Sequence, residues 1–315
     1  MKLIRLLLGS VLVVGCASRG SNPASSTALP AGAEAMSLLK KPLYAPSLSA
    51  ETRASYERRL SEARIAFDAS PNDAEAIIWL GRRNAYLGQY RESIKVFTEG
   101  IAKHPTDARL YRHRGHRYLT VRQFDDAIAD FNRAAELIKG KPDEIEPDGL
   151  PNARNIPTST LQSNIWYHLG LAHYLKGDFE RALEAYREAM KVSTNPDMLV
   201  ATTNWLYMTL RRLDRFQEAA AVLAPITRDM NLIENDSYHR LLLVYKGEIP
   251  AESAVASSSS EDRALDDATL GYGIGNWHLY RGFRPQAERI FKRVLEGKSW
   301  AAFGYIAAEA EMARR

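Results

Sequence analysis

Residues 109–117 hold the side chains best suited to chemistry, because four arginines and two histidines fall within this short run. An arginine guanidinium group donates parallel hydrogen bonds to carboxylates and phosphates. His113 and His116 have a spacing seen in metal ligands, but zinc requires at least one further ligand and the nearby arginines would repel it. The run therefore predicts an anion-binding or ion-pairing surface, with no metal and no other cofactor.

The sequence carries none of the common catalytic patterns. It has no His-Glu-x-x-His pair, no Gly-x-Ser-x-Gly turn, no P-loop and a single cysteine. Gly271, Gly273 and Gly275 fall inside a predicted helix, so we interpret them as positions where helices approach closely. These observations favour a non-enzymatic binding protein. An enzyme with catalytic groups dispersed over several helices is the least favoured alternative.

The basic run must be positioned by repeated helical hairpins, because two stretches of the chain are self-similar at a spacing of 34 residues. A helix-turn-helix unit of this length leaves an apolar face that only another copy can cover, so the units must stack. A third copy, with Gly170 and Tyr186, follows after a break. The matched pairs in the first two copies are Gly81 and Gly115, Tyr90 and Phe124, Ser93 and Ala127, Phe97 and Phe131, and Gly100 and Ala134.

The recurring residues resemble the tetratricopeptide repeat (TPR), with units that begin at Ala74, Ala108 and Ser163. Weaker copies are predicted at residues 56–71, 203–223 and 274–291, and residues 300–315 at the end read as one more amphipathic helix with a solvated side. The resemblance implies an all-α fold, a right-handed TPR superhelix of helical hairpins closed by a C-terminal capping helix.

The resemblance also implies which side chains line the concave groove, because in TPR proteins the first helix of each repeat faces it. The implied surface is basic and aromatic, which suits recognition of acidic segments or C-termini of partner proteins. The lysine and asparagine residues typical of chaperone-binding TPR clamps are replaced by Ile78, Arg82 and His113, so that partner class is not implied. The predicted groove residues are Trp79, Arg82, Tyr86, Arg109, Arg112, His113, His116, Tyr167, His168 and Tyr174.

A structural interpretation of the same run remains open. Arg114 falls at a repeat position that is normally apolar, and Arg117 lies close to it, so part of the run must pair with acids inside the stack. Asp125, Asp126 and Asp130 are the nearest candidates. The run is therefore either a binding surface or mainly a structural ion-pair network.

The first residues predict export and lipidation. Lys2 and Arg5 precede an apolar run over residues 6–14, too short to cross a bilayer but suited to a secretory signal. Val-Val-Gly before Cys16 resembles the lipobox of bacterial lipoproteins, which implies lipidation of this cysteine. Ala17 after it implies sorting to the outer membrane, facing the periplasm. An ordinary signal peptide with an incidental cysteine is the alternative.

Composition is that of an ordinary globular protein, with 25% charged and 45% hydrophobic residues. The net charge of +4 falls to +2 if Lys2 and Arg5 are removed with the signal. This balance is too small to favour nucleic acid as a partner, and export would separate the protein from it.

Two segments interrupt the repeat period. Residues 143–162 contain Asp143, Glu144, Glu146 and Asp148, and they either fold over the basic surface as an internal lid or extend into solvent, the interpretation that we favour from sequence. The other segment is rich in serine. The predicted organisation is a signal peptide at 1–16, a flexible tether at 17–50, an incomplete repeat and two TPR units at 51–142, the acidic insertion at 143–162, TPR-like units at 163–250, a serine-rich loop at 251–265, and the last unit with the capping helix at 266–315.

The order of these segments is similar to that of NlpI-type lipoproteins, down to the stretch at residues 241–250 before the last repeat. The resemblance implies an outer-membrane adaptor, typically dimeric, whose partners are other envelope proteins such as peptidoglycan enzymes. The acidic insertion and the arginine-rich repeat have no counterpart in that family. The predicted function is thus a membrane-tethered protein-binding adaptor of the cell envelope, and the alternative is a structural subunit of an envelope assembly or secretion complex.

Overall fold

The computed structural model describes residues 29–256 and 263–314. In that part of the chain fourteen helices follow a single two-stranded sheet. The strands are β1 (Ala33–Met36) and β2 (Pro42–Tyr44). The helices are α1 (Ala50–Ala69), α2 (Ala74–Tyr86), α3 (Tyr90–Lys103), α4 (Ala108–Thr120), α5 (Phe124–Ile138), α6 (Leu161–Lys176), α7 (Phe179–Lys191), α8 (Pro196–Arg212), α9 (Phe216–Val222), α10 (Asp236–Tyr245), α11 (Ala251–Ala256), α12 (Arg263–Leu279), α13 (Arg284–Glu296) and α14 (Phe303–Ala313).

The predicted hairpins are confirmed. The first two units begin at Ala74 and Ala108, and the aspartate before each accepts hydrogen bonds from backbone N–H groups of the first turn. The recurring glycine of each repeat lies against the aromatic ring of the second helix. A Cβ atom on Gly81 would lie 2.4 Å from Phe97 Cζ, and one on Gly170 would lie 2.7 Å from Tyr186 Cε1. Consecutive helices from α1 to α8 pack in order, as a stack requires.

The largest apolar cluster lies in the second half of the stack, where α6, α8 and α12 meet. Tyr174, predicted to face the groove, is instead fully buried there, and its hydroxyl accepts a hydrogen bond of 2.7 Å from Tyr272. Burial raises the pKa of Tyr174 to about 12. The prediction that Tyr174 faces the groove is therefore wrong, because Tyr272 of the C-terminal repeat packs on it.

The last helix packs on the final hairpin, as a capping helix should, but the side that the sequence suggested is solvated is buried. α14 packs on α12 and α13 and also reaches α6. Glu309 on this helix is 1% exposed and forms an ion pair of 2.8 Å with Arg122, which follows α4. Glu311 similarly pairs with Arg212 at 2.6 Å. Two carboxylates expected in solvent are thus buried contacts, and they tie the C-terminus to Arg122 after α4 and to Arg212 at the end of α8.

Part of the predicted tether is also folded. β1 and β2 form an antiparallel hairpin in which Ala33 pairs with Tyr44. The indole N–H of Trp300 donates a hydrogen bond of 2.7 Å to the carbonyl of Tyr44, and the backbone N–H of Leu38 donates to Glu309. The flexible-tether prediction is therefore wrong for the hairpin, because its small apolar residues pack on the C-terminal segment.

Other predictions fall wholly or partly outside the described residues. These are the signal peptide, lipidation of Cys16, the start of the tether, and the middle of the serine-rich loop. The ends of that loop are helical, because α11 covers Ala251–Ala256 and α12 starts at Arg263. No helix in the part of the chain that the structure covers has both the length and the apolar character needed to cross a membrane.

Candidate functional site

A cluster of basic side chains forms where α2 and α4 face each other. The cluster encloses a small cavity of about 130 Å³, which we call the basic cavity. Because both helices are first helices of adjacent repeats, five of the seven predicted groove residues of these two repeats, all except Trp79 and Arg109, converge on it. Its wall includes Arg82, Ala85, Tyr86, Phe97, Arg112, His113, His116, Arg117 and Glu146.

The acidic insertion closes the basic cavity. Glu146 pairs with Arg112 at 2.8 Å, and the two side chains are 10% and 9% exposed. The carbonyl oxygens of Pro147 and Gly149 accept hydrogen bonds of 2.8 Å from Arg82 and from Arg83. The insertion therefore does not extend into solvent, as we expected from sequence, but forms the internal lid.

Close backbone approach fixes the position of this lid. A Cβ atom on Gly149 would lie 1.6 Å from the hydroxyl oxygen of Tyr86, so a larger residue here would require either the lid or the Tyr86 side chain to move. The base of the insertion is closed by an isolated bridge between Ile145 and Thr160. A hydrogen bond of 2.8 Å from the N–H of Leu161 to the carbonyl of Glu144 adds to this closure. The lid is thus anchored at its base and at its tip.

Burial controls the charge inside the basic cavity. It lowers the pKa of His113 and of His116 well below the usual imidazole value, and the adjacent arginines act in the same direction. It also lowers the pKa of Arg117 to about 10. At neutral pH the histidines are therefore uncharged, and the arginines alone supply the positive charge that Glu146 meets.

Other residues of the basic run have structural partners. Arg114 forms a bidentate pair with Asp130, at 2.7 and 2.8 Å, which confirms the ion-pair interpretation for this arginine. Arg109 pairs with Asp107 at 2.6 Å and with Glu75 at 2.9 Å, at the rim of the repeats.

Trp79, another predicted groove residue, takes no part in the ion pairs of Arg109 and Arg114. Its half-buried ring contacts the guanidinium groups of Arg82 and Arg83, with distances of 4.5 and 4.6 Å from ring centroid to guanidinium carbon. It therefore supports the arginines that hold the lid.

A second, larger cavity lies beside the basic cavity, between α6, α8, α10 and the lid, with Phe303 of α14 at one side. We call it the tyrosine cavity, and its volume is about 360 Å³. The predicted residues Tyr167 and His168 line it. Its wall comprises Asp148, Thr158, Ser159, Ser163, Asn164, Tyr167, His168, Met198, Ala201, Thr202, Glu234, Asn235, Ser237, Tyr238, Thr269 and Phe303.

Histidine and aromatic rings separate the two cavities. His116, in the wall of the basic cavity, lies 4.6 Å between ring centroids from His168, in the wall of the tyrosine cavity. Phe303 lies 5.5 Å from His168. The hydroxyl groups of Tyr167 and Tyr238 lie 3.2 Å apart. Burial lowers the pKa of His168 to about 3, so this ring is neutral as well.

The loop before α10 is positioned by a buried carboxylate. Asp197 of α8 is almost fully buried and accepts hydrogen bonds from the backbone N–H groups of Ile233, Glu234 and Asn235, at 3.0, 3.0 and 2.9 Å. Glu234 is thereby placed at the tyrosine cavity. Sequence reasoning missed Glu234, Asn235, Tyr238 and Phe303, because these residues lie outside the three recognisable repeats.

The arrangement offers no group of metal ligands. Within residues 29–256 and 263–314, no set of three or more histidine, cysteine, aspartate or glutamate side chains is placed to hold a metal ion. The site can therefore bind through hydrogen bonds, aromatic contacts and charge.

Two models of the tetratricopeptide repeat match this chain, one over residues 80–142 and one over residues 163–193. The chain is 24% identical to BBSome complex member BBS4 of Bos taurus over 177 residues, which is 56% of this chain and 30% of that protein. It is 30% identical to tetratricopeptide repeat protein 13 of Homo sapiens over 105 residues, 33% of this chain and 10% of that protein. The chain thus spans less than a third of the length of these relatives.

Solved structures with a similar arrangement include YrrB, described as a TPR protein with an unusual peptide-binding site. It shares 14% identity, with a TM-score of 0.42 over 79% of this chain and 97% of YrrB. A tetratricopeptide repeat protein from Parabacteroides merdae shares 14% identity, with a TM-score of 0.47 over 82% of this chain and 93% of its own.

Proposed function

Because this chain is a tetratricopeptide repeat protein, and such repeats present concave surfaces that bind other proteins, we propose that it is a non-enzymatic adaptor. It binds a peptide segment of a partner protein in the tyrosine cavity. The basic cavity, the binding surface expected from sequence, is occupied by the acidic insertion of the same chain.

The size of the tyrosine cavity, together with its aromatic and polar wall, carries this proposal. Ligand pockets commonly enclose about 300 to 1,000 Å³, and the tyrosine cavity, at about 360 Å³, falls in this range. The basic cavity, at about 130 Å³, does not. Tyr167, Tyr238 and Phe303 supply rigid contact area, and the serine, threonine and asparagine side chains around them supply hydrogen bonds.

The cellular setting of the proposal rests on the sequence before the described residues. The apolar run at residues 6–14 and the lipobox-like residues before Cys16 support a lipid-anchored protein of the bacterial outer membrane, facing the periplasm. Its partners would be other envelope proteins, including peptidoglycan enzymes as in NlpI-type lipoproteins. Radiolabelled palmitate incorporated into the native chain but not into Cys16→Ser would support the anchor, and equal labelling would contradict it.

A second candidate function is a structural subunit of an envelope assembly. It is favoured by the lid, which already contacts α2 and α4, and by α14, which reaches α6, because α2, α4 and α6 are all first helices of repeats. In this case partners would contact outer faces, such as the one that exposes Ile65 on α1.

A crosslinked pull-down distinguishes the two candidates. The native chain is compared with Ala201→Trp, which fills the tyrosine cavity, and with Ile65→Trp as a matched control on an exposed position. Circular dichroism confirms that each variant folds. We expect Ala201→Trp to lose partners that Ile65→Trp retains. Loss of the partners in Ile65→Trp alone would contradict the adaptor and favour the structural subunit.

A further inference from the structure

The charge and chemistry of the tyrosine cavity define what it can bind. We infer that it takes a cationic side chain, an arginine or lysine of the partner segment, and not the acidic segment that the basic run suggested. This inference rests on the proposed function, since it names the chemistry of the peptide that the adaptor binds.

The first observation is the charge of the cavity wall. Asp148 and Glu234 are its two carboxylates, and no lysine or arginine is among the described residues that line it. His168 is the remaining titratable base in the wall, and its ring is neutral because burial lowers its pKa. The wall therefore carries net negative charge at neutral pH.

The second observation is that these carboxylates lack cationic partners. Within the described chain neither Asp148 nor Glu234 forms an ion pair within 4 Å. Glu234 accepts hydrogen bonds from neutral groups, the Thr158 hydroxyl and the Asn152 amide. Oδ2 of Asp148 is buried and has no hydrogen-bond partner. A carboxylate oxygen buried without a partner costs free energy, so a bound cation would stabilise Asp148. The same cation could pair with Glu234, which is exposed and has no cationic partner among the described residues.

The two carboxylates also lie close enough to influence each other. Burial raises the pKa of Asp148, and the charge of Glu234 raises it further. Arg82 acts in the opposite direction, but its guanidinium group donates to the carbonyl of Pro147 and lines the basic cavity. A cation placed between the two acids would relieve their mutual repulsion.

The third observation is the aromatic wall. Tyr167 and Phe303 lie 6.5 Å apart between ring centroids, and Tyr238 joins them in the same cavity. A guanidinium or ammonium group is attracted to aromatic rings, and the aliphatic stem of arginine or lysine packs on them. Carboxylates and aromatic rings together are complementary to a long basic side chain.

The lid explains why the preference is opposite to the one expected. Glu146 lies in the wall of the basic cavity, and Asp148, two residues later, lies in the wall of the tyrosine cavity. One acidic insertion therefore pairs with Arg112 in the first cavity and gives negative charge to the second. Arg82 and Arg112 thus contact the chain's own insertion, and the cavity left for a partner is acidic.

The test is a selection of random decapeptides on the immobilised, detergent-solubilised full chain, followed by affinity measurements on the peptides recovered. We expect one position to be arginine or lysine in the selected peptides. Replacement of that arginine by citrulline, its neutral isostere, should weaken binding about tenfold. Glu234→Gln should weaken the arginine peptide by a similar factor but leave the citrulline peptide unchanged. Glu144→Gln, an exposed carboxylate in the same insertion but outside the tyrosine cavity, should have no effect.

Each other outcome overturns the inference in a distinct way. Selected peptides that are acidic or neutral, insensitive to Glu234→Gln but lost with Ala201→Trp, would contradict the cationic preference and leave the adaptor function intact. Peptides that bind Ala201→Trp as well as the native chain, or no selected peptide at all, would contradict both the inference and the proposed function.

Discussion

Two cavities lie side by side on the first helices of the repeats, and they differ in what fills them. The basic cavity has the arginines and histidines that a binding groove would use, yet it is small and Glu146 of the insertion already pairs with Arg112 in its wall. The tyrosine cavity is nearly three times larger, and its carboxylates lack a cationic partner among the described residues. A conspicuous run of charged residues in a repeat protein can thus serve the chain itself, while the free surface lies where the sequence is less conspicuous.

The largest expected effect concerns α14, which brings Phe303 to the tyrosine cavity. Glu309→Ala would leave Arg122 buried without its partner, since this pair is 2.8 Å long and almost fully buried. Breaking a buried pair in this way costs about 3–5 kcal/mol. We expect urea denaturation to show a loss of this size in the free energy of unfolding.

A matched surface pair provides the control for this prediction. Arg133 and Glu136 form an exposed ion pair of 3.0 Å, and Glu136→Ala should cost less than about 1 kcal/mol. If Glu309→Ala were as mild as Glu136→Ala, α14 would not be fastened to the first half of the molecule, and the wall formed by Phe303 would be in doubt.

The next effect concerns the lid of the basic cavity. Glu146→Ala removes the partner of Arg112 and should cost about 2–3 kcal/mol, less than the previous change because this pair retains some exposure. We also expect trypsin to cleave faster after Arg154, which lies exposed in the lid.

Glu144→Gln serves as the control, because its exposed side chain makes no ion pair in the described structure. An unchanged rate of cleavage in Glu146→Ala would mean that the lid does not depend on the Arg112 contact. The contrast between a basic cavity closed by this contact and a tyrosine cavity left free would then no longer hold.

The smallest effect concerns pH. The folded-state pKa of His168 is about 3, below its ordinary value in the unfolded chain, so the unfolded state binds more protons between these values. Stability should therefore fall as the pH drops below about 6.5, by about 1 kcal/mol from pH 6.5 to 5.5 for this residue. His113 and His116 should act in the same direction.

Comparison of the native chain with His168→Gln isolates this contribution. The difference in the free energy of unfolding between pH 6.5 and pH 5.5 should be smaller in the variant by about 1 kcal/mol. An identical pH dependence in both proteins would show that His168 is protonated without cost, and hence that it is not enclosed between the two cavities.

The hairpins were predictable from sequence because each depends on local rules. Gly81 and Phe97 recur one repeat later as Gly115 and Phe131, and in each pair the ring occupies the space that a Cβ would need. The aspartate caps before α2 and α4 follow the same local logic.

Contacts between distant segments were not predictable in this way. Glu309 meets Arg122 across 187 residues, and nothing in the local pattern of α14 distinguishes a solvated acid from a buried partner. The same holds for Glu146, whose position over Arg112 depends on how the insertion crosses the groove. Repeat periodicity alone predicts that Tyr167 and His168 lie at the groove, whereas Glu234 follows no repeat position and is placed by Asp197.

The most direct test of the account places a photocrosslinking amino acid at Ala201, in the tyrosine cavity, or at Tyr86, in the basic cavity, in otherwise native chains. Mass spectrometry after irradiation in intact cells identifies what each position contacts. We expect crosslinks from position 201 to a partner protein, through a segment with a basic residue, and crosslinks from position 86 to the chain's own residues 146–149. Partner crosslinks from position 86 and none from position 201 would contradict it.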